Sequence, residues 1–309
     1  MDAEKQDKLT MEHFDTSPLP QSPVYPADVD RTINIRKQPY QLIRHRVGWS
    51  FLDLKQLWRF RELLVVFTAR DVKLRYRQTI LGSAWVILQP LLGAGILSLV
   101  FGRIAKLPTD GIPYLVFVYA GLLAWNAFNN TLNKASLSLV QHAGLIRKVA
   151  FPRLILPLSA ALLSLVDFSV AFIMMLALLA VYHIVPKLSF LLFPLWLFFT
   201  LLLATGIGLF TSTLMVRYRD FQHVLPVLLQ FLLFASPIAY SISAVPHSLR
   251  PLYFLNPLAD LIQIFRWSLL GSSEVDWSYC IYAMISATLV FLVGAFTFRR
   301  FERQFADVI

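Results

Sequence analysis

The chain has 309 residues, of which 57% are hydrophobic and only 15% are charged, and its mean hydropathy is +0.61. This composition is unusual for a soluble protein and predicts a membrane protein. The net charge of +10 comes from basic residues that stand beside the hydrophobic segments and form no separate basic domain. We therefore expect membrane lipids with anionic headgroups as their partners, and no nucleic acid.

The N-terminal part of the chain is polar. Residues 1–48 contain five prolines and show little periodicity, which predicts a flexible cytoplasmic tail. The sequence begins without the apolar stretch of a signal peptide, so we expect the first residues to be retained. Residues 49–80 are predicted to form an amphipathic interface region, because apolar positions recur at helical spacing from Leu54 to Phe67 opposite charged ones. An amphipathic helix packed on a soluble domain is the alternative, but no such domain is predicted.

Six apolar segments follow, each about 20 residues or longer, which is the length that a helix needs to cross about 30 Å of hydrocarbon. Stretches such as Leu158 to Val181 and Phe190 to Met215 are apolar on every face and do not alternate, which favours helices over the strands of a barrel. The fold class predicted is an all-α polytopic membrane protein. Its six transmembrane helices are expected at residues 82–102, 113–133, 157–183, 188–215, 222–242 and 278–298. They belong to a predicted membrane domain of residues 81–300, and residues 301–309 form a short C-terminus.

The segment between the fifth and sixth predicted spans, residues 243–277, is apolar but interrupted. Asn256, Pro257, Asp260 and Arg266 fall within its apolar stretch. Such backbone and charge occur at membrane depth only when they are buried in protein or face water. We therefore predict re-entrant helices here and not a seventh span.

The basic residues also predict an orientation. With the N-terminus inside, fifteen basic residues flank the inner ends of the spans and five flank the outer ends. Only this orientation satisfies the positive-inside rule. Both termini are therefore predicted to be cytoplasmic, which requires an even number of spans.

The sequence carries few motifs of catalysis. No GxxxxGK[ST] loop that could hold nucleotide phosphates occurs, so ATP used for transport would be bound by another chain. The six histidines are scattered and no metal or nucleophile motif is present, which argues against a catalytic or metal site. One acidic residue, Asp167, stands near the middle of the third predicted span. It either pairs with a polar group on a neighbouring helix, which a lone acid favours, or acts as a proton relay.

Three further patterns leave two interpretations open. The stretch from Trp125 to Ser138 is rich in Asn and Ser, which either hydrogen-bond between helices or line a passage for a hydroxyl-rich cargo. The aromatic residues near the span ends either anchor the helices at the membrane surface or contact sugar rings. The segments 141–148 and 217–220 either insert into a cytoplasmic partner or are ordinary basic loops.

Six blocks of the sequence, in chain order, resemble the permeases of type-2 ABC polysaccharide exporters. These blocks are residues 70–85 with Gln89-Pro90, 119–122 with Trp125, 148–157, 216–220, 236–238 and 256–258. The resemblance covers about residues 45–305. It implies a homodimer of six-span subunits in the bacterial inner membrane, standing on two copies of a separate ABC ATPase that binds ATP and Mg²⁺. This chain would then bind no cofactor and would not be an enzyme.

The resemblance also implies the cargo, a lipid-linked polysaccharide such as O-antigen, capsule or teichoic acid, which would pass between the two copies along the first and fifth spans. Two alternatives remain open at this point. One is a permease of similar fold that exports drugs or small lipids. The other is a membrane-embedded glycolipid enzyme, which would need catalytic groups clustered at one membrane face, whereas the acidic residues of this chain are dispersed.

Residue roles follow from the same resemblance. The expected contacts with the ATPase, in a coupling helix, are Leu145, Ile146, Arg147 and Lys148. The residues expected to meet the anionic pyrophosphate of a lipid carrier at the cytoplasmic mouth are Arg75, Tyr76 and Arg77. The expected sugar contacts of the glycan channel are Tyr119, Trp125, Phe231, Phe234 and Tyr240. For these aromatic residues, ordinary packing is the alternative.

Overall fold

A computed structural model describes much of the predicted membrane body. The described residues are 54–77, 84–109, 111–149, 151–246, 248, 250–271, 275–302 and 305. The predicted tail of residues 1–48 and most of residues 301–309 lie outside them. Every regular element within the described ranges is a helix, which confirms the all-α prediction.

The helices have the following bounds. The first five are α1 Leu54–Arg59, α2 Arg61–Arg77, α3 Ala84–Leu97, α4 Tyr114–Gln141 and α5 Ala143–Lys148. The other six are α6 Ile155–Val181, α7 Phe193–Arg217, α8 Phe221–Phe234, α9 Arg250–Tyr253, α10 Pro257–Leu270 and α11 Trp277–Phe301. A π-helical segment, Ser98–Ile104, continues α3, and a short 3₁₀ turn, Leu188–Leu192, precedes α7.

Four helical segments are long and apolar enough to cross a membrane. They are Ala84–Ile104, Ile155–Val181, Leu188–Arg217 and Trp277–Phe301. They correspond to the first, third, fourth and sixth predicted spans, and they show a multi-pass membrane protein. The second predicted span forms α4, which has 28 residues and is less apolar because of its asparagines.

The fifth predicted span, residues 222–242, is only partly helical. Helix α8 has 14 residues and ends at Phe234, well before residue 242. Pro237 explains this early end, because a proline disfavours helical backbone in the residue before it and lacks a hydrogen-bond donor of its own. At the usual rise, 14 residues span about 21 Å, which is less than a full crossing.

The helices α4, α7 and α11 form the centre of the bundle, where α7 packs against the other two. Glycines allow the close crossing of α7 and α11. A Cβ placed on Gly206 would lie 2.6 Å from Cα of Phe291, and one placed on Gly294 would overlap the carbonyl oxygen of Gly206. Small residues at such crossings let two backbones approach closely, which is how helices pack without a hydrophobic driving force in lipid.

Helix α10 is short because both of its ends are specified by its sequence. The side chain of Asn256 accepts a hydrogen bond from the backbone N–H of Leu258, and Pro257 occupies the first turn. At the other end Gly271 takes a left-handed conformation with φ of 66°. Inside the helix, Asp260 is fully buried, and neither of its carboxylate oxygens has a hydrogen-bond partner among the described residues.

Candidate functional site

Asp167 lies near the middle of α6, and its side chain is buried. Its carboxylate accepts hydrogen bonds from the guanidinium of Arg75 on α2 and from Nζ of Lys134 on α4, the latter at 2.7 Å. One acid therefore joins three helices. The structure shows the paired arrangement and supplies the two partners that the sequence did not identify.

The sequence did not identify these partners because it placed both cations in the basic flanks at the inner ends of the spans, outside the hydrocarbon. Lys134 follows directly on the predicted second span, which was expected to end at residue 133, whereas α4 continues as far as Gln141. Asp167 comes twelve residues after the start of α6 at Ile155, or about 18 Å along the helix axis. Arg75 reaches this depth because α2 packs along α6.

A second polar contact lies at the junction of α4 and α5. Arg70 donates to Asp71 through Nε at 3.0 Å, and one of its terminal nitrogens lies 2.5 Å from Nε2 of His142. The other ring nitrogen of His142, Nδ1, lies 2.8 Å from the carbonyl oxygen of Ser138. Because a carbonyl oxygen only accepts, Nδ1 carries a hydrogen and Nε2 accepts from Arg70. Helix α2 is thus attached to the residue that begins the turn into α5.

A cavity of about 460 Å³ lies between α2, α4 and α6, where these two polar contacts occur. The residues that line it are Arg70, Asp71, Leu74, Lys134, Ser138, Gln141, His142, Leu156, Ser159, Ala160 and Leu163. One part of the wall therefore carries two cations, one acid and hydroxyl groups, and another part is apolar.

A model of the ABC-2 type transporter family matches residues 62–270. The chain belongs to this family. The matched residues run from the start of α2 to the end of α10, and they include the Asp167 cluster, the cavity and α5.

Curated relatives of this ABC-2 type transporter are similar over most of their length. An O-antigen export system permease protein of Klebsiella pneumoniae is 28% identical over 80% of this chain and 95% of the relative. One of Myxococcus xanthus is 27% identical over 83% of this chain and 98% of the relative. A polysialic acid transport protein of Escherichia coli is 26% identical over 64% of this chain and 77% of the relative.

The predicted coupling residues of the transporter form α5, where they divide into two groups. The side chain of Ile146 is buried and that of Leu145 is half-buried, and both belong to an apolar cluster with Phe67 and other residues of the neighbouring helices. Arg147 and Lys148 are exposed. Ile146 therefore anchors α5 to the bundle, and the surface that a partner could contact carries the two basic residues.

The same cluster receives the apolar face of the predicted interface region. Phe67 is buried there, and Leu57, Phe60 and Leu64 are partly buried against it. The helical spacing of these residues is confirmed, although the helix is broken at Phe60 into α1 and α2. The periodicity assigned this apolar face to the membrane surface, whereas in the structure it packs against other helices of the protein.

Of the predicted pyrophosphate contacts, Arg75 is engaged by Asp167, and Arg77 is exposed at the end of α2. The side chain of Tyr76 lies outside the described residues. Arg75 therefore has a structural partner that its predicted role did not include. The prediction that these three residues meet a lipid carrier stays a prediction.

The predicted sugar contacts are separated in the structure. Tyr119 is fully buried in α4 and donates to the carbonyl oxygen of Ala171 at 2.9 Å, and Trp125 is buried against Phe128. Among the described residues, Tyr119 and Trp125 are therefore packed inside the subunit, as the alternative of ordinary packing predicts. The other three lie on or just after α8, where Phe231 and Phe234 are each 68% exposed.

The third of these, Tyr240, is half-buried. Its hydroxyl donates to the carbonyl oxygen of Phe234 at 3.3 Å and accepts from the hydroxyl of Tyr253 at 3.1 Å.

The polar stretch of α4 contacts a neighbouring helix at one point. The hydroxyl groups of Ser136 on α4 and Thr211 on α7 share a hydrogen bond of 2.5 Å. For Ser136, the interpretation as a contact between helices is therefore confirmed.

Proposed function

We propose that this chain is the permease subunit of an ATP-driven exporter that moves a lipid-linked polysaccharide, such as O-antigen or capsule, across the bacterial inner membrane. The observation that carries the proposal is the similarity to polysaccharide export permeases over up to 98% of a relative's length. All of the relatives described above bear names that specify a polysaccharide, which favours this cargo over drugs or small lipids.

The complete subunit has six spans in this proposal. The four apolar segments are joined by α4, whose 28 residues extend about 42 Å, and by α8 together with the irregular residues that follow it. Helices α9 and α10 form the re-entrant element between the fifth and sixth spans. Both termini lie in the cytoplasm, as the distribution of basic residues requires.

Two such subunits form a homodimer, and the polysaccharide passes between them. The apolar face of α8 supports this arrangement, because Phe231 and Phe234 are exposed in the single subunit and would be covered or face the passage in a dimer. Exposed aromatic rings provide flat apolar surfaces on which sugar rings can stack. Phe231, Phe234 and Tyr240 are therefore our candidates for glycan contact.

The energy comes from two copies of an ABC ATPase, which bind ATP and Mg²⁺, while this chain binds no cofactor. Helix α5 is the contact with the ATPase. Ile146 holds it against the bundle, and Arg147 and Lys148 present positive charge outward. The pyrophosphate of the lipid carrier meets Arg75, Tyr76 and Arg77 before transport begins.

The coupling role is tested by replacing Arg147 and Lys148 together by glutamate. Reversal of the charge should abolish export of the glycan, because the two side chains are exposed and the buried anchor Ile146 is untouched. Glycan at the cell surface is measured by blotting, and insertion is measured from the amount of full-length protein in the membrane fraction. The control is Arg300→Glu, which reverses an exposed basic residue at the end of α11. Normal surface glycan in the double variant would refute the assignment of α5.

A further inference from the structure

The cavity between α2, α4 and α6 has a polar wall that carries hydrogen-bond donors beside one carboxylate, that of Asp71, which is paired with Arg70. Within the described chain, Nζ of Lys134 has one hydrogen-bond partner, Asp167, so two of its three N–H groups remain available. Arg70 uses Nε and one terminal nitrogen, and its other terminal nitrogen makes no hydrogen bond to a described residue. Guanidinium and ammonium groups are donors that proteins use to bind phosphate, and one of each lines this cavity.

The formal charges around the cavity do not cancel. The described side chains here are three cations, Arg70, Arg75 and Lys134, and two acids, Asp71 and Asp167. One positive charge is therefore left over among these side chains. Water screens it only in part, because the side chains of Arg70, Arg75 and Lys134 are 41%, 35% and 26% exposed, so it still attracts an anion.

The remaining wall of the cavity is apolar, and it leads outward. Leu156, Ala160 and Leu163 of α6 line one side, and Leu74 of α2 lines the other. Leu74 is also 65% exposed, so the cavity is open to the surface of the bundle beside α2. A ligand that fits both walls has an anionic head and an apolar chain that leaves through this opening.

We propose that this cavity is a binding site for the phosphate group of a membrane lipid, with Arg70 and Lys134 on the phosphate and the lipid chain along Leu74. The volume of about 460 Å³ is within the usual range for sites that hold small ligands. Glycerophospholipids and polyprenyl phosphates share this chemistry. The site is separate from the exposed Arg77, and it requires no assumption about the exported cargo.

The site also has a connection to α5. The guanidinium of Arg70 that faces the cavity also donates to Nε2 of His142 through its other terminal nitrogen. The proposed phosphate would therefore lie on the same side chain that attaches α2 to the turn that begins α5.

The experiment measures lipid binding to the purified full-length chain in detergent by native mass spectrometry. The probes are phosphatidylglycerol, undecaprenyl phosphate, diacylglycerol and inorganic phosphate. We expect both lipid phosphates to bind, and diacylglycerol and inorganic phosphate to bind at least about tenfold more weakly, which corresponds to about 1.4 kcal/mol. The lipid phosphate that binds more tightly identifies the natural source. Equal binding of diacylglycerol, or equal binding of inorganic phosphate, overturns the proposal.

Two variants place the binding in this cavity. Lys134→Gln removes the excess charge while Asp167 keeps Arg75, and it should raise Kd of the lipid phosphate at least about tenfold. Ala160→Leu fills the cavity without a change of charge and should weaken binding in the same way. Arg217→Gln is the control, because Arg217 is an exposed basic residue outside the cavity. Binding at the level of the unmodified chain in either cavity variant that remains folded overturns the proposal, and so does a loss in the control.

Discussion

Replacement of Asp167 by asparagine should lower the free energy of unfolding by about 2–3 kcal/mol, a value that lies between those of exposed and buried ion pairs. The amide can still accept a hydrogen bond, but it carries no charge. Arg75 and Lys134 would then be two neighbouring cations without the acid that holds them together, and they would repel each other.

The magnitude follows from the burial of the three side chains. Removal of one partner from a fully buried pair costs about 3–5 kcal/mol, whereas an exposed pair contributes about 0–1 kcal/mol. The side chain of Asp167 is 4% exposed, but those of Arg75 and Lys134 are 35% and 26% exposed, so water relieves part of the cost. Lys134→Gln should cost less, about 1 kcal/mol, because Arg75 still neutralises the acid.

The assay is chemical unfolding of the purified full-length chain in mixed micelles, followed by tryptophan fluorescence. The double variant of Asp167→Asn and Lys134→Gln should cost less than the sum of the single variants, because both remove the same contact. Asp220→Asn is the control, since Asp220 is exposed and its side chain caps no helix. A change below about 0.5 kcal/mol for Asp167→Asn, the range typical of surface substitutions, would show that the ion pairs do not stabilise the fold.

Two further predictions concern the close crossing of α7 and α11 and the buried acid of α10. Gly294→Ala should destabilise the chain by about 3 kcal/mol, because its Cβ would overlap the backbone of Gly206, whereas Gly95→Ala, with open space around the new Cβ, should be neutral or stabilising by up to about 1 kcal/mol. Unfolding free energies of both variants check this, and equal effects would contradict it. Burial raises the pKa of Asp260 from its ordinary value of 3.8 to about 8. The protonated carboxyl group therefore contributes fully to the free energy of unfolding below pH 3.8, and this contribution is lost as the pH rises to about 8. Asp260→Asn should therefore stabilise the chain more at pH 8 than at pH 5, as measured by thermal unfolding, and a gain independent of pH would contradict this.

The positions of the long helices were predictable because they follow from the amount of apolar surface along the chain. The predicted spans 157–183 and 278–298 correspond closely to α6 and α11. A segment of about 20 apolar residues has few stable conformations other than a helix in lipid, since every backbone N–H and C=O group must be satisfied within the segment. The ends of α10 were also encoded locally, by Asn256 and Gly271.

The extent of α8 was less predictable. Apolar residues continue past Phe234 and suggested a helix as far as residue 242, but Pro237 ends it early. An apolar run shows that a segment is buried or faces lipid, whereas the backbone conformation within the run depends on single residues such as proline.

The candidate site, too, was predictable from the sequence only in part. The composition and the blocks such as residues 70–85, 148–157 and 256–258 were sufficient to place the chain in its family, and the resemblance also predicted a helix where α5 lies. They did not reveal that Asp167 is held by residues 92 and 33 positions away in the chain. Both cations stand in basic flanks, and the role predicted for Arg75 was contact with a lipid carrier and not with Asp167.

The sequence by itself therefore determined that the protein is helical, where most of its helices lie and which family it belongs to, because these properties depend on local composition and on the order of short motifs. Only the tertiary structure decided which charges meet, that Ile146 faces inward while Arg147 and Lys148 face outward, and that a charged cavity lies beside Arg70. Contacts of this kind depend on the packing of three helices that are distant in the chain, and the periodicity of any one helix contains no information about its neighbours.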